Sequence, residues 1–147
     1  MTNQRTLIFL IQLIAIWHLS RWISTGKPRK IRIVELGPGR GTLMNDVLHT
    51  FGQFADCMAA ITSVSLVETS PIMRKHQERI LERYRSPQNT LSDRFFWYDS
   101  LEDVLSNNAS LDSEVFTMVI AHEFFDALPI HILDVRQTLP RLILSLI

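Results

Sequence analysis

The sequence predicts an α/β domain: a parallel sheet with crossover helices. Three observations carry that expectation. Apolar strand-like runs alternate with helical patterns along the chain. The first such run, Ile31 to Val34, leads directly into a glycine-rich turn that opens a helix. The chain has 147 residues, 46% of them apolar and 20% charged, enough for the core of one domain.

The elements follow in order. A helix is expected over about 6–24, a strand over 31–35, a helix over 42–54 and a strand over 63–68. A helix over 71–84, a strand over 94–98, a short helix over 100–106 and a strand over 115–121 come next, then a loop. Leu43, Met44, Val47, Leu48 and Phe51 recur at helical spacing. Ser70 and Pro71 read as N-cap and first helical residue. Ser100 with Asp103 is a weaker capping pair, because Glu or Gln is preferred at the third helical position. Asn107 to Asp112 is a polar loop. Residues 1–132 form the main unit. Residues 133–147 are a divergent apolar tail that reads as a short strand or as a segment awaiting a packing partner.

Composition excludes several roles. Lys plus Arg and Asp plus Glu are 15 each, so no basic stripe argues for nucleic-acid binding. Cys57 is the single cysteine, which excludes an intrachain disulfide and a cysteine-rich metal site. Leu7 to Leu19 is almost wholly apolar but short and interrupted by Gln12, so a membrane span is not expected. A buried helix closed by Gly26 and Pro28 is favoured over a signal or anchor, since no cleavage site follows.

The run Glu35-Leu36-Gly37-Pro38-Gly39-Arg40-Gly41-Thr42 carries the functional signal. Gly37, Gly39 and Gly41 remove side chains where a ligand would press on the main chain. Thr42 stands where a dinucleotide fingerprint needs its third glycine, which speaks against a nicotinamide-dependent oxidoreductase. No Gly-Lys-Ser/Thr follows, so this is not a phosphate loop. An acid at the strand end suits a cationic or amine-bearing ligand better than a pyrophosphate. The form resembles motif I of the Rossmann-like methyltransferases, which bind S-adenosylmethionine. On that reading Glu35 orients the glycines or meets the cofactor's amino group through water.

Three further strand ends carry polar groups. Glu68 ends the second strand and can accept from both ribose hydroxyls of a nucleoside, or can be a helix-approach acid favoured by the dipole. Asp99 follows the third strand. It can accept from an exocyclic amine, with Trp97 or Tyr98 stacking on the base, or can simply start the next helix. After the fourth strand comes Ala121-His122-Glu123-Phe124-Phe125-Asp126-Ala127-Leu128-Pro129. His122-Glu123-x-x-Asp126 lacks the second histidine of a zinc helix, so no metal is expected. Glu123 and Asp126 can instead clamp a guanidinium and leave one of its nitrogens nucleophilic. His122 alone reads as a loop histidine as readily as a functional one.

These segments, in this order, resemble the MidA family of mitochondrial protein-arginine methyltransferases that assist assembly of respiratory complex I. The likeness runs from about Leu13 to His131 and is densest at the glycine turn and at the His122-Glu123 segment. It implies a partial Rossmann-like methyltransferase fold with strand order 3-2-1-4. It implies S-adenosyl-L-methionine as cofactor, held by Glu35, Gly37, Gly39, Gly41, Glu68 and Asp99, with Glu123 and Asp126 facing the acceptor. The substrate implied is an arginine of the 49-kDa core subunit of complex I, symmetrically dimethylated in the mitochondrial matrix. Family members are longer at both ends and no transit peptide is visible here; the later strands of the family's sheet are not expected and the tail is apolar, so a non-catalytic, partner-binding role is the alternative. In that setting the fourth strand would form an open apolar edge.

Overall fold

In the computed structural model, which describes residues 4–107, 114–127, 131–134 and 143–146, the apolar runs become parallel strands. These are β1 (Lys30–Leu36), β2 (Ile61–Val67), β3 (Phe95–Tyr98) and β4 (Val115–Ile120). Their spatial order is β3-β2-β1-β4, as the family resemblance implies. The described helices are α1 (Gln4–Ser24), α2 (Thr42–Phe51), α3 (Ala55–Ala60), α4 (Pro71–Arg85) and α5 (Leu101–Asn107).

Register sorts the side chains. Ile33 pairs with Val64 and with Met118, and Glu35 with Leu66 and with Ile120. Partners in a parallel ladder share a face, and alternate residues share it too. One face therefore carries Ile31, Ile33, Glu35, Leu66, Met118 and Ile120. Its apolar members form the main core with Met44, Val47, Leu48 and Phe51 of α2 and Leu81 and Tyr84 of α4. The other face buries Val34, Leu36 and Val67 against Val104 of α5 in a smaller cluster. Helices on both faces make the sheet doubly wound. With β2 on one side of β1 and β4 on the other, the carboxyl end of β1 is the topological switch point.

Local chemistry sets the helix ends. The Ser70 side chain accepts from the Met73 N–H at 3.4 Å and Pro71 opens α4, as expected. Ser100 Oγ accepts from the Asp103 N–H at 3.1 Å and donates to its carboxylate at 2.8 Å, so this pair also caps its helix. Gly26, at φ +87°, lets the chain leave α1, and Trp22 Nε1 donates to the Pro28 carbonyl at 2.9 Å.

Two expectations need correction. The second helix stops at Phe51 rather than residue 54, and a separate six-residue helix, α3, precedes β2. A single turn and a half is too short to show periodicity. Among the α1 residues from 12 on, one stripe is buried, through Ala15, His18, Leu19 and Trp22, while Leu13, Ile16, Trp17 and Ile23 are exposed. Among the described residues no helix is long and apolar enough to cross a membrane. At the far end, β5 (His131–Asp134) pairs antiparallel with β6 (Ile143–Leu146), the strand alternative for that segment. From residue 108 on, the expected polar loop lies outside the described residues, as do Leu139, Leu142 and Ile147.

Phe51 is fully buried where α2 meets the sheet. Phe51→Ala should cost about 3–5 kcal/mol of unfolding free energy by lost transfer energy and cavity formation. Urea denaturation checks this, and a loss within the surface-substitution range of about 0.5 kcal/mol would contradict the core assignment.

Candidate active site

The site grows from the turn that ends β1. Its backbone adopts left-handed φ at every second residue, +62° at Gly37, +53° at Gly39 and +81° at Gly41. Non-glycine residues pay roughly 1–2 kcal/mol there. The turn is tied down at both ends: Gly37 N–H donates to the Val67 carbonyl at 3.0 Å and Gly41 N–H to the Pro38 carbonyl at 2.8 Å. At Gly41 a Cβ would stand 3.2 Å from the Gln77 backbone, so α4 packs directly on the turn. At Gly39 a Cβ would meet nothing within 4 Å. Close packing behind and open space in front give a ligand main-chain access at Gly39. The N-terminus of α2 follows with no side-chain cap, leaving its first N–H groups for an incoming acceptor.

Glu35 lies two residues before the turn and is 2% exposed. Its Oε2 is buried without a hydrogen-bond partner among the described residues. Desolvation pushes its carboxyl up to about 8. An unpartnered buried acid is a costly feature unless a cation or donor meets it.

Glu68 follows β2 and is held from two sides. Its Oε1 accepts from the Ser70 N–H at 2.8 Å and its Oε2 from Gln77 Nε2 at 3.3 Å. Its backbone is fixed as well, with the N–H donating to the Tyr98 carbonyl at 2.9 Å and the carbonyl accepting from Arg74 Nε at 2.7 Å. Asp99 is exposed and pairs with Arg74 Nη2 at 2.7 Å. The sheet thus brings Glu35, the glycine turn, Glu68 and Asp99 to one end.

The aromatic expectation is corrected in part. Trp97 is engaged by the protein: its Nε1 donates to Gln77 Oε1 at 2.8 Å, its ring stacks on Phe95, and Arg85 sits 5.1 Å from the ring centroid. Tyr98 packs on the smaller core cluster beside Phe124.

After β4 the chain bends through His122 and Glu123 into one 3-10 turn, Phe125–Ala127. The α-helix that a zinc motif would need is not formed there. Glu123 and Asp126 are both exposed, and Glu123 has φ +53°. Phe124 sets where this bend sits, for its ring lies 2.8 Å from the point a Cβ on Gly37 would occupy. A cavity of about 730 Å³ lies to one side, between α1 and β4. Leu13, Ile16 and Trp17 line it, with His18 and His122 as its polar fringe. That lining is mostly apolar, whereas the glycine turn presents open main chain.

Two residues escaped sequence reasoning. Gln77 is the polar member of an otherwise apolar row, Met73-Gln77-Leu81-Tyr84, which was the available signal. Phe124 gave none, since one of two adjacent phenylalanines between two acids looks like ordinary packing.

A glycine turn at the switch point of a doubly wound sheet, with a buried acid two residues before it and a second acid at the neighbouring strand end, defines a nucleoside-binding Rossmann-like domain. Its acceptor-rich lining fits a cationic nucleoside such as S-adenosyl-L-methionine. A family profile for S-adenosyl-L-methionine-dependent methyltransferases matches residues 13–142, and the chain belongs to that family. It is similar to the mitochondrial protein arginine methyltransferase NDUFAF7 of Danio rerio, with 36% identity over 133 residues, 82% of this chain and 30% of the relative. The Homo sapiens protein of the same name is 35% identical over 134 residues, 82% of this chain and 29% of the relative. The Drosophila melanogaster homolog is 37% identical over 133 residues, 82% and 28%. The chain spans less than a third of the length of these relatives.

Glu35 sets a pH dependence. In the folded chain its proton is held up to about 8, against 4.5 for the unfolded group. Between those values the unfolded state binds fewer protons, so stability falls as pH rises through the window and levels above it. Glu35→Gln should remove that slope. Thermal unfolding of both proteins across the window tests this, and parallel curves would mean that Glu35 is hydrated or paired.

Proposed function

We propose that this chain binds S-adenosyl-L-methionine at its glycine turn and forms the cofactor-holding part of a protein-arginine methyltransferase. The observation that carries the reading is the buried Glu35 carboxyl, its Oε2 without a hydrogen-bond partner among the described residues, two residues before a turn of three left-handed glycines. When bound, the cofactor supplies a methyl group on a positively charged sulfonium. Glu35 faces its amino group or orders the turn. Gly39 lets the main chain approach it. Glu68 accepts from the ribose hydroxyls, and Asp99 stands beside the base.

Glu123 and Asp126 act on the acceptor. A carboxylate pair gripping a guanidinium fixes its direction of attack and leaves one nitrogen free. The left-handed conformation of Glu123 supports that role, since a non-glycine residue at φ +53° persists only where its surroundings hold it. Beyond the cofactor, the reading follows the similarity to the arginine methyltransferases: symmetric dimethylation of an arginine in the 49-kDa core subunit of complex I, assisting its assembly in the mitochondrial matrix. The exposed Trp17 (60%) and Val119 (52%) beside the apolar cavity favour a second reading, a partner-binding role without turnover. Methylation of an arginine peptide from that subunit separates the two, because only the first reading transfers a methyl group.

Gly39→Val should abolish S-adenosylhomocysteine binding while leaving the helical circular dichroism largely intact, because the side chain enters the open approach path. Unchanged affinity would overturn the site. Glu68→Ala should weaken binding by about tenfold or more, since charged hydrogen bonds contribute roughly 1.5–3 kcal/mol. Titration calorimetry showing less than a twofold change would reduce Glu68 to a helix-start charge.

A further inference from the structure

We propose that Gln77 is a positioning residue that sets the ribose-binding geometry of Glu68 and the height of the glycine turn together. The inference rests on the cofactor reading above. Gln77 is fully buried, yet its side chain is wholly polar at the tip. Its Nε2 donates to the Gly39 carbonyl at 2.7 Å and to Glu68 Oε2 at 3.3 Å. Its Oε1 accepts from Trp97 Nε1 at 2.8 Å. One amide on α4 therefore links the ends of three strands: the turn after β1, the acid after β2 and the indole on β3.

The orientation of this amide is forced. An indole N–H donates only, so the amide oxygen must face Trp97 and the NH₂ must face the other two partners. Both NH₂ hydrogens then meet acceptors and no polar atom is wasted. A flipped amide would set its NH₂ against the indole donor and its oxygen against a carbonyl and a carboxylate. Trp97 thus acts through Gln77 as the latch on Glu68.

The consequence falls on the two carboxylate oxygens. Ser70 N–H occupies one lone pair of Oε1 and Gln77 one of Oε2. A carboxylate offers about four acceptor positions, two per oxygen. One remains on each oxygen, which matches the two adjacent hydroxyls of a ribose. Because Gln77 is neutral, it fixes Glu68 without cancelling the charge that strengthens those bonds. Fixing the acceptor before binding lowers the ordering cost of binding.

The test compares wild type, Gln77→Glu and Gln77→Leu as full 147-residue chains. S-adenosylhomocysteine affinity is measured over a pH series, and the Trp97 indole N–H resonance is followed in the same samples. Gln77→Leu should lose roughly tenfold in affinity at every pH, as expected when its three hydrogen bonds go and the Glu68 carboxylate loses the donor on Oε2. Gln77→Glu should approach wild type in acid, where the introduced carboxyl is protonated and can donate to Glu68. It should lose affinity progressively as that proton leaves and two carboxylates face each other. Its indole resonance should move over the same pH range. A packing role alone would not give a pH-dependent loss specific to the acid variant. If Gln77→Leu does not fold, the acid variant carries the test. Wild type that binds while both variants match its affinity and pH profile overturns the positioning role alone. Wild type that fails to bind S-adenosylhomocysteine overturns the cofactor reading and this role together, and the indole resonance then still shows whether the hydrogen-bond hub exists.

Discussion

The cofactor end of this sheet depends on the backbone between Leu36 and Thr42 turning with left-handed φ at three alternate residues. That path is closed to side chains for two different reasons. At Gly41 the obstacle is steric, because the backbone of α4 lies 3.2 Å from where a Cβ would be. At Gly39 the space is open and the restriction is conformational, with φ at +53°. The first condition presses α4 onto the turn. It is why Gln77 reaches the Gly39 carbonyl at all, and so why Glu68 and Trp97 join the same network.

Much of this was legible in the sequence. Glycine spacing located the turn because only glycine adopts that path cheaply. Ser70-Pro71 located α4 because a cap and an N1 proline are local signals. Acids placed after apolar runs located Glu35 and Glu68 at strand ends. What stayed hidden depends on contacts between distant elements. Trp97 read as a stacking platform, and the fold gave its N–H to a glutamine 20 residues earlier. The exposure of Leu13, Ile16 and Trp17 was equally unreadable, since an apolar helix looks the same whether one stripe or its whole surface is covered.

The three acids at the site differ because their surroundings differ. Glu35 is enclosed by the apolar face that holds Leu66 and Ile120, and burial without a partner favours its neutral form. Glu68 is half-buried and has a donor on each oxygen. Asp99 is exposed and bound to Arg74, the same arginine that fixes the Glu68 carbonyl. A charged amine and a nucleoside would meet these environments in turn: an acid that gains from a cation, an acid set for hydroxyls, and an acid at the solvent edge.

Rigidity is graded across the same end. The β1, β2 and β3 termini are joined by backbone bonds, by Arg74 and by Gln77, so the glycine turn, Glu68 and Asp99 are held by the protein itself. The β4 terminus joins them differently. Its bend bears Glu123 and Asp126 on an exposed segment, seated by Phe124, which lies against Gly37 and packs on the smaller core cluster. These contacts are dispersive rather than directional, unlike the hydrogen bonds that join the other three strand ends. The absence of a side chain at Gly37 is what makes room for that ring. The glycine turn therefore does two things, leaving main chain open at Gly39 and seating the segment that bears Glu123 and Asp126 at Gly37.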